Sequence, residues 1–178
     1  FTQFEALGAR LAFPCFDEPG FKTPFELTLS VPKDNSAFSN APALEASERS
    51  GGGQRVRFAA TPALPTYLVA LAIGPLDVLH DPAHDLKRAD GTRTPIRIIT
   101  TKGRAPEARM ALEETAELLS YQEEYFGSPY PFAKLDLVAV PDFAAGAMEN
   151  PGLITYRDAL LLFDRKSVTH RQYRGYAN

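Results

Sequence analysis

The sequence predicts a β-rich first part, followed by a part that mixes a helix with further strands. Short segments that alternate apolar and polar residues dominate the first 79 positions, whereas one long amphipathic pattern begins near Pro106. Between them lies the polar stretch 80–91, which contains proline and glycine and is the predicted domain boundary. We therefore expect a sandwich or open antiparallel sheets in residues 1–91 and an α+β portion in residues 92–178.

Three segments support the strand prediction in the first part. Residues 25–31 alternate strictly between apolar and polar, and residues 54–58 do so again after the glycine run 51–53. We interpret that run as a flexible hairpin turn, because the lysine and the following helix of a phosphate-binding loop are missing. Residues 67–73 form a continuous apolar run, which predicts a strand buried on both faces.

The second part is predicted to contain one long helix between strands. Between Pro106 and Phe126 the apolar residues recur at steps of three and four, and Pro106 suits a first helical turn. Gly127 is predicted to cap the C-terminal end of this helix. Residues 167–178 show no clear period and are expected to lead into another helix. The predicted strands cover residues 94–100, 135–140 and 153–156.

Composition excludes several classes of function. With 19 Lys+Arg against 22 Asp+Glu, a net charge of −3, the chain lacks the basic excess of a nucleic-acid binder. The single cysteine, Cys15, excludes an internal disulfide, and its apolar neighbours favour a packed thiol over a nucleophile. The longest apolar runs are far shorter than a membrane span. Because the sequence begins at Phe1 within patterned sequence, we expect a piece of a longer chain.

The histidines do not form a recognisable metal site. His80 and His84 have the i, i+4 spacing of a zinc-binding helix, but an Asp-Pro step between them disfavours helix, so a loop is favoured. His170 stands alone, and three protein ligands for a catalytic zinc are not found. A Gly-x-Ser-x-Gly nucleophile motif is also missing from the sequence.

Residues 146–150, Gly-Ala-Met-Glu-Asn, are the most informative segment. A glycine among small alanines lets another backbone approach closely, as an extended peptide that adds a strand would require. Glu149 then places a carboxylate beside that peptide. The same pattern is also typical of an ordinary strand with one exposed glutamate, and the residues alone leave both interpretations open.

Several motifs resemble the M1 family of zinc aminopeptidases, of the aminopeptidase N type. Residues 146–150 match the exopeptidase motif of that family, and residues 2–6 with 9–19 are similar to a hallmark stretch of its N-terminal domain. Further similar segments follow in the family's order and are Ser39-Asn40-x-Pro42, residues 67–70, residues 125–131 and residues 141–143. The resemblance implies the latter part of a β-rich, saddle- or sandwich-like N-terminal domain at residues 1–91. It implies the start of a thermolysin-like catalytic domain at residues 92–178.

The resemblance also implies roles for individual residues. Glu149 and Glu5 correspond to the two family positions that bind the free α-ammonium group of the substrate. Gln3 corresponds to a position that lines the pocket for the first side chain, and Gly146 and Ala147 correspond to backbone positions that pair with the peptide. Two carboxylates satisfy a cationic amine better than one, and holding the amine restricts cleavage to the first peptide bond. The implied substrate-binding set is Gln3, Glu5, Gly146, Ala147, Met148, Glu149 and Asn150.

The zinc-binding part of the family pattern is missing from the sequence. The His-Glu-x-x-His helix, its downstream glutamate and the later tyrosine are not found, so we expect no catalytic residue and no bound metal in this fragment. Zinc is expected in the full-length enzyme, and the fragment alone is expected to be inactive. The expected partners are peptides with a free N-terminus, with no nucleic acid and no membrane segment. Pro151, where the family often has tryptophan, removes one backbone donor.

Two alternatives stay open at this point. The first is a catalytically silent, M1-like module that binds peptides or acts as a scaffold; the retained Glu5 and Glu149 argue against it, because a scaffold needs no amine clamp. The second is the epoxide-hydrolysing branch of the family, with which Pro151 is compatible. The Gly-Ala start of the exopeptidase motif and the Phe-Asp-Glu-Pro stretch at residues 16–19 favour ordinary aminopeptidases.

Overall fold

A computed structural model describes residues 1–164, 166 and 168–177. They divide into two compact units, the first made of residues 1–75 with 149–153 and the second of residues 76–148 with those from 154 onward. The first change of unit lies between Pro75 and Leu76, ahead of the polar stretch 80–91. The predicted domain ranges stay a prediction, and residues 165, 167 and 178 of the second range lie outside the described residues.

The first unit is built from short antiparallel strands, as the sequence predicts. A three-stranded sheet has the order β2-β5-β4, while β1 pairs with β6 and β3 pairs with β7. A 3-10 turn at Ala9–Leu11 precedes them. In chain order the strands are β1 (Lys22–Thr23), β2 (Thr28–Val31), β3 (Ser36–Ser39), β4 (Ala43–Glu48), β5 (Gln54–Phe58), β6 (Leu64–Pro65) and β7 (Leu71–Gly74).

The predicted hairpin around the glycine run is confirmed. Strands β4 and β5 are antiparallel partners, and the glycines at positions 51–53 all have positive φ angles, of 97°, 85° and 123°. A Cβ atom on Gly53 would lie 2.9 Å from the Val31 carbonyl oxygen, so this position has no room for a side chain. The predicted strand 25–31 is shorter, although Phe58 N–H still donates to the Leu27 carbonyl at 2.9 Å.

The prediction of a doubly buried strand over residues 67–73 is wrong. Thr66–Leu68 form a 3-10 turn, and only Leu71–Gly74 are in a strand, whose burial alternates along the chain. The physical reason is that side chains replace the ladder hydrogen bonds here. Asn40 Nδ2 donates to the Leu68 carbonyl, and Ser39 Oγ donates to the Ala70 carbonyl, both at 2.9 Å.

The second unit contains a five-stranded mixed sheet of order β13-β14-β12-β11-β8. The two parallel strands β11 and β12 are joined by the long helix α1, which makes a β-α-β unit. The elements are β8 (Leu76–His80), β9 (Leu86–Lys87), β10 (Arg93–Thr94), β11 (Ile96–Thr101), α1 (Arg109–Phe126), β12 (Leu135–Val140), β13 (Ala147–Met148), β14 (Leu153–Arg157), α2 (Asp158–Leu161) and α3 (His170–Ala177). This arrangement confirms the predicted α+β class and the predicted strands of the second part.

Helix α1 follows a 3-10 turn at Ala105–Ala108 that contains Pro106, and it ends at Gly127 in the left-handed conformation, with a φ of 62°. The predicted C-terminal cap is therefore confirmed. The apolar stripe is buried only in the first half of the helix, because Tyr125 and Phe126 are 74% and 72% exposed. The core beneath that first half consists of Leu86, Ile96, Ile98, Ala108, Ala111, Leu112, Leu135, Leu137, Ala139, Leu161 and Leu162.

The last described helix begins at His170, so the segment predicted to lead into a helix does contain one; Ser167 and Asn178 of that segment lie outside the described residues. None of the helices in the described part of the chain combines the length and the apolar character that a membrane span requires.

Candidate functional site

The segment that contains Gln3 and Glu5 is fastened to the first unit through Thr2. Thr2 N–H donates to the Leu71 carbonyl, and Leu71 N–H donates to Thr2 Oγ1, both at 2.9 Å. The chain then enters a turn at residues 5–8, in which the Glu5–Ala6 peptide bond is cis. The Glu5 side chain is exposed at this turn.

A buried aspartate stabilises the loop that follows. Asp17 is buried, and its carboxylate accepts hydrogen bonds from the Thr66 hydroxyl at 2.5 Å and from the Arg10 backbone N–H at 3.1 Å. The Arg10 Nε also donates to this carboxylate, at 3.2 Å. The Thr66 hydroxyl, followed by the donors of Arg10, holds the pKa of Asp17 below its ordinary value. The hallmark stretch at residues 9–19 therefore has a clear structural use.

Cys15 is half-buried, and the prediction of a packed thiol stays a prediction. Burial raises the pKa of the Cys15 thiol, and the negative charge of Asp17 raises it further. The thiol lines an open groove of about 460 Å³ whose walls include Phe13, Phe21 and Phe25. A raised thiol pKa disfavours the thiolate that nucleophilic catalysis requires.

Residues 146–150 contain an edge strand. Strand β13 pairs with β14 on one side and stands at the end of the strand order, so its other side has no strand partner among the described residues. Burial alternates along the segment, with Ala147 and Glu149 exposed and Met148 and Asn150 buried. The backbone on the outer side of β13 is therefore available for pairing with an added strand.

Arg157 fastens the loop that leads into this edge strand. Its backbone N–H donates to the Gly146 carbonyl at 2.8 Å, which continues the pairing of β13 with β14. Its guanidinium donates through Nε to the Phe143 carbonyl at 2.9 Å and through Nη2 to the Ala144 carbonyl at 2.6 Å. One side chain thus satisfies two carbonyls of an irregular loop.

A tight turn immediately follows Glu149. Leu153 N–H donates to the Asn150 carbonyl at 3.0 Å, with Pro151 and Gly152 between them. Gly152 has a φ of 71°, and proline followed by a glycine of positive φ is the signature of a type II turn. The Pro151 carbonyl, in the middle peptide of this turn, accepts a hydrogen bond from Asn40 Nδ2 at 2.9 Å.

A continuous path of hydrogen bonds joins the two segments that bear the predicted clamp residues, and all of it lies in the first unit. Asn40 links the Pro151 carbonyl to the chain at residues 68–70, since Asn40 Oδ1 also accepts from Ala70 N–H at 2.8 Å. The next residue, Leu71, makes the two hydrogen bonds to Thr2. Segments 2–5 and 149–151 are therefore fastened to the same short piece of chain, although they are far apart in the sequence.

The two glutamates themselves are exposed and available. Among the described residues, no hydrogen bond or ion pair engages the carboxylate of Glu5 or Glu149. Gln3 Oε1 is buried and likewise lacks a hydrogen-bond partner in the part of the chain that the structure describes. A buried acceptor without a donor is costly, so such an atom in a native protein calls for an explanation, such as a bound ligand or a water molecule.

The predicted site residues thus fall into two groups. The exposed members, Glu5, Ala147 and Glu149, present groups that a ligand can reach, whereas Met148 and Asn150 are only 2% and 3% exposed. The assignment of these residues to substrate binding stays a prediction. The sequence motifs predict no role for Asn40 or Arg157, although Asn40 lies inside the Ser39-Asn40-x-Pro42 motif.

His80 and His84 each lie beside a different aspartate and do not share a site. His80 Nε2 lies 3.0 Å from Asp85 Oδ1, while His84 Nε2 lies 4.0 Å from Asp81 Oδ2. Across residues 1–164, 166 and 168–177, no three side chains of His, Cys, Asp or Glu come together in a way that could hold a metal ion.

Comparison with known proteins matches two parts of the chain to one group of peptidases. Residues 1–68 match the peptidase M1 N-terminal domain, and residues 110–178 match the peptidase family M1 domain. The first match contains Glu5 and Asn40, and the second contains the Gly-Ala-Met-Glu-Asn segment.

Curated proteins that align with nearly the whole chain are named aminopeptidases. The chain is 46% identical to aminopeptidase M1-A of Oryza sativa subsp. japonica, over 93% of this chain and 18% of that protein. It is 40% identical to aminopeptidase N of Acetobacter pasteurianus, over 96% of this chain and 46% of that protein. It is also 40% identical to endoplasmic reticulum aminopeptidase 2 of Homo sapiens, over 93% of this chain and 17% of that protein. The chain therefore spans less than half the length of each of these relatives.

Proposed function

Because the chain belongs to peptidase family M1, we propose that it supplies the substrate-amine clamp of a zinc aminopeptidase, which removes single residues from the N-termini of peptides. In this proposal the carboxylates of Glu5 and Glu149 together bind the α-ammonium group of the peptide. The fixed amine then determines which peptide bond can react, and only the first one lies at the right distance.

The observation that carries the proposal is the availability of these two carboxylates. Glu5 and Glu149 are exposed, are not engaged by any other described side chain or backbone group, and lie in the same compact unit. A peptide ammonium group has three donors and a full positive charge, so two free carboxylates suit it through charge-assisted hydrogen bonds. The path of hydrogen bonds through Asn40 and Leu71 supports their convergence, since it fastens both segments to one piece of chain.

The remaining roles in the proposal concern the peptide beyond its amine. The free side of edge strand β13 supports backbone pairing of the substrate with Ala147. The proposed pairing with Gly146 has less support, because its carbonyl already accepts from Arg157 N–H at 2.8 Å. The buried, unpartnered Oε1 of Gln3 supports a role in the pocket for the first side chain, where a donor on the substrate or a water molecule would satisfy it. Met148 and Asn150 are buried, and in this proposal their side chains anchor the backbone that bears Ala147 and Glu149.

In this proposal zinc is bound in the full-length enzyme by residues other than those that the structure describes. The described residues offer no set of three ligands, so they do not fit a catalytic zinc site. The proposal therefore contains no chemical step through a metal in these 178 residues. The metal ligands and the general base of the full-length enzyme would come from other residues.

Glu149→Gln in the full-length enzyme tests the clamp. The substitution keeps the shape of the side chain and removes its charge, so kcat/KM for a peptide with a free amine should fall at least about tenfold, or about 1.4 kcal/mol. Glu117→Gln is a matched control, since Glu117 is an exposed glutamate on helix α1 and should leave kcat/KM unchanged. Unaltered kinetics of the Glu149 variant would contradict the clamp.

The chain alone tests the rest of the proposal. We expect the purified 178-residue protein to bind no stoichiometric zinc and to release no p-nitroaniline from aminoacyl-p-nitroanilides. Stoichiometric zinc would show that the chain contains a metal site of its own, and release of p-nitroaniline would show that it contains catalytic residues of its own. A full-length protein that binds free-amine peptides without cleaving them would instead be the catalytically silent module.

A further inference from the structure

We propose that Asn40 is a positioning residue for Glu149. This inference rests on the proposed function, because it describes how the amine clamp is assembled. The residues that carry it all lie in the first unit.

The side-chain amide of Asn40 is buried, and both its nitrogen and its oxygen form hydrogen bonds. It is 5% exposed and directly follows strand β3. Its Nδ2 donates to the carbonyls of Leu68 and Pro151, each at 2.9 Å, and its Oδ1 accepts from Ala70 N–H at 2.8 Å. An amide group is the side chain that suits this task, because it combines two donors with an acceptor.

The contact with Pro151 controls a turn that begins next to Glu149. In the type II turn at residues 150–153, the Pro151 carbonyl belongs to the middle peptide, whose orientation defines the turn type. A hydrogen bond from Asn40 to this carbonyl therefore favours the observed orientation of the middle peptide. Proline at the second position of the turn keeps that carbonyl and fits the required φ, so Pro151 does not weaken this contact.

Glu149 depends on the backbone for its position. No described side chain or backbone group holds its carboxylate, so the direction of the side chain follows from the backbone between strand β13 and the turn. A buried anchor two residues beyond Glu149 is thus well placed to set that direction. The same Asn40 also holds Ala70, whose neighbour Leu71 binds Thr2 at the start of the Glu5 segment.

The test compares how tightly the chain binds the tripeptide Leu-Ala-Ala and its N-acetylated form, by NMR titration of the 178-residue protein. The ratio of the two dissociation constants measures recognition of the amine. Glu149→Gln should reduce the preference for the free amine about tenfold. Asn40→Asp, which keeps the acceptor but replaces both donors, should also reduce it about tenfold, because a displaced carboxylate no longer meets the ammonium group.

Two further variants keep the test decisive if Asn40→Asp unfolds. Gly152→Ala strains the turn at its positive φ while leaving the Asn40 side chain intact, and it should reduce the preference in the same direction. Ser39→Ala is the matched control, since it removes a buried hydrogen bond to Ala70 but no contact with Pro151. It should lower the free energy of unfolding and leave the preference unchanged.

The double variant Asn40→Asp/Glu149→Gln separates positioning from a direct contribution. If Asn40 acts through Glu149, the double variant should show the same preference as Glu149→Gln alone. A further, additive loss of the preference in the double variant would overturn the inference. The inference would also fail if Glu149→Gln reduces the preference for the free amine while Asn40→Asp and Gly152→Ala both leave it unchanged. If Glu149→Gln itself leaves the preference unchanged, the proposed clamp fails, and the positioning role fails with it.

Discussion

Two groups of charged side chains, one in each unit, differ in how the fold uses them. In the second unit the carboxylate of Asp136 is fully buried and accepts from Arg97 Nε and Nη2, both at 2.7 Å, and from Lys134 Nζ at 2.8 Å. In the first unit Glu5 and Glu149 are exposed, and within the described residues nothing engages their carboxylates. The first group is saturated by protein partners, whereas the second has none among the described residues.

The electrostatics of the saturated group follow from its burial. Burial lowers the pKa of Lys134, and the neighbouring charge of Asp136 opposes that shift. Taking three charges out of water is expensive, and the mutual hydrogen bonds compensate for that cost. Such a cluster contributes to a specific fold but has no capacity left for a substrate.

Arg157 shows that the number of partners, and not exposure, separates the two groups. Its side chain is exposed, yet its guanidinium is committed to the carbonyls of Phe143 and Ala144. Exposure of a charge therefore does not by itself show that the charge is available to a ligand, and its protein partners must be considered as well. By this criterion Glu5 and Glu149 differ from both Arg157 and Asp136.

The largest effect is expected from Asp136→Ala. Removing this carboxylate leaves the buried Lys134 without its counter-charge, and the free energy of unfolding should fall by about 3–5 kcal/mol. Urea denaturation of the purified chain measures the change, with Glu117→Ala as the exposed control. A loss of less than about 1 kcal/mol would show that the cluster is not saturated in the way that its geometry indicates.

A smaller effect is expected in acid from Asp17, the saturated carboxylate of the first unit. Because its pKa is lower in the folded chain than in the unfolded one, it stabilises the fold fully above its unfolded pKa of about 3.9. That contribution is lost as the pH falls through the folded-state pKa. The stability difference between wild type and Asp17→Asn should therefore be constant from about pH 5 to about pH 8 and should narrow below about pH 4.

Thermal unfolding of the two proteins across this pH range measures the effect. Thr66→Val removes the hydroxyl that contributes most to the lowered pKa and should weaken the same acid dependence. A difference between wild type and Asp17→Asn that does not change with pH would contradict the assignment.

The smallest effect on stability is expected from the clamp residues. Glu5→Gln and Glu149→Gln remove no protein hydrogen bond, so each should change the free energy of unfolding by less than about 0.5 kcal/mol. The same urea experiment measures it. If either variant lowered the free energy of unfolding as much as Asp136→Ala, these carboxylates would have protein partners. The contrast between them and Asp136 would then be wrong.

Local sequence was a reliable guide where the chemistry of a single residue decides the backbone. The hairpin at residues 51–53 and the helix cap at Gly127 both require positive φ angles, and glycine meets that requirement without help from distant residues. Strand β12 is another predicted element that the structure contains, although its buried Asp136 interrupts the apolar run.

Local sequence failed where a distant side chain competes for the backbone. The apolar run 67–73 predicts a strand, but residues 67–70 do not form one, because Asn40 and Ser39 hydrogen-bond to the backbone of Leu68 and Ala70. The end of helix α1 failed in a different way, since Tyr125 and Phe126 are exposed although they continue the stripe. Neither outcome follows from periodicity alone, because periodicity does not say which neighbour covers a face.

The sequence by itself determined the fold class, the family and the identity of the two predicted clamp residues, because these depend on motifs and on residue chemistry that can be read along the chain. The tertiary structure decided how Glu5 and Glu149 are connected, through Asn40 and the turn that follows Glu149. The physical reason is that these hydrogen bonds join residues 30, 69 and 111 positions apart. Such distant contacts leave no periodic signal in the sequence and form only when the chain folds.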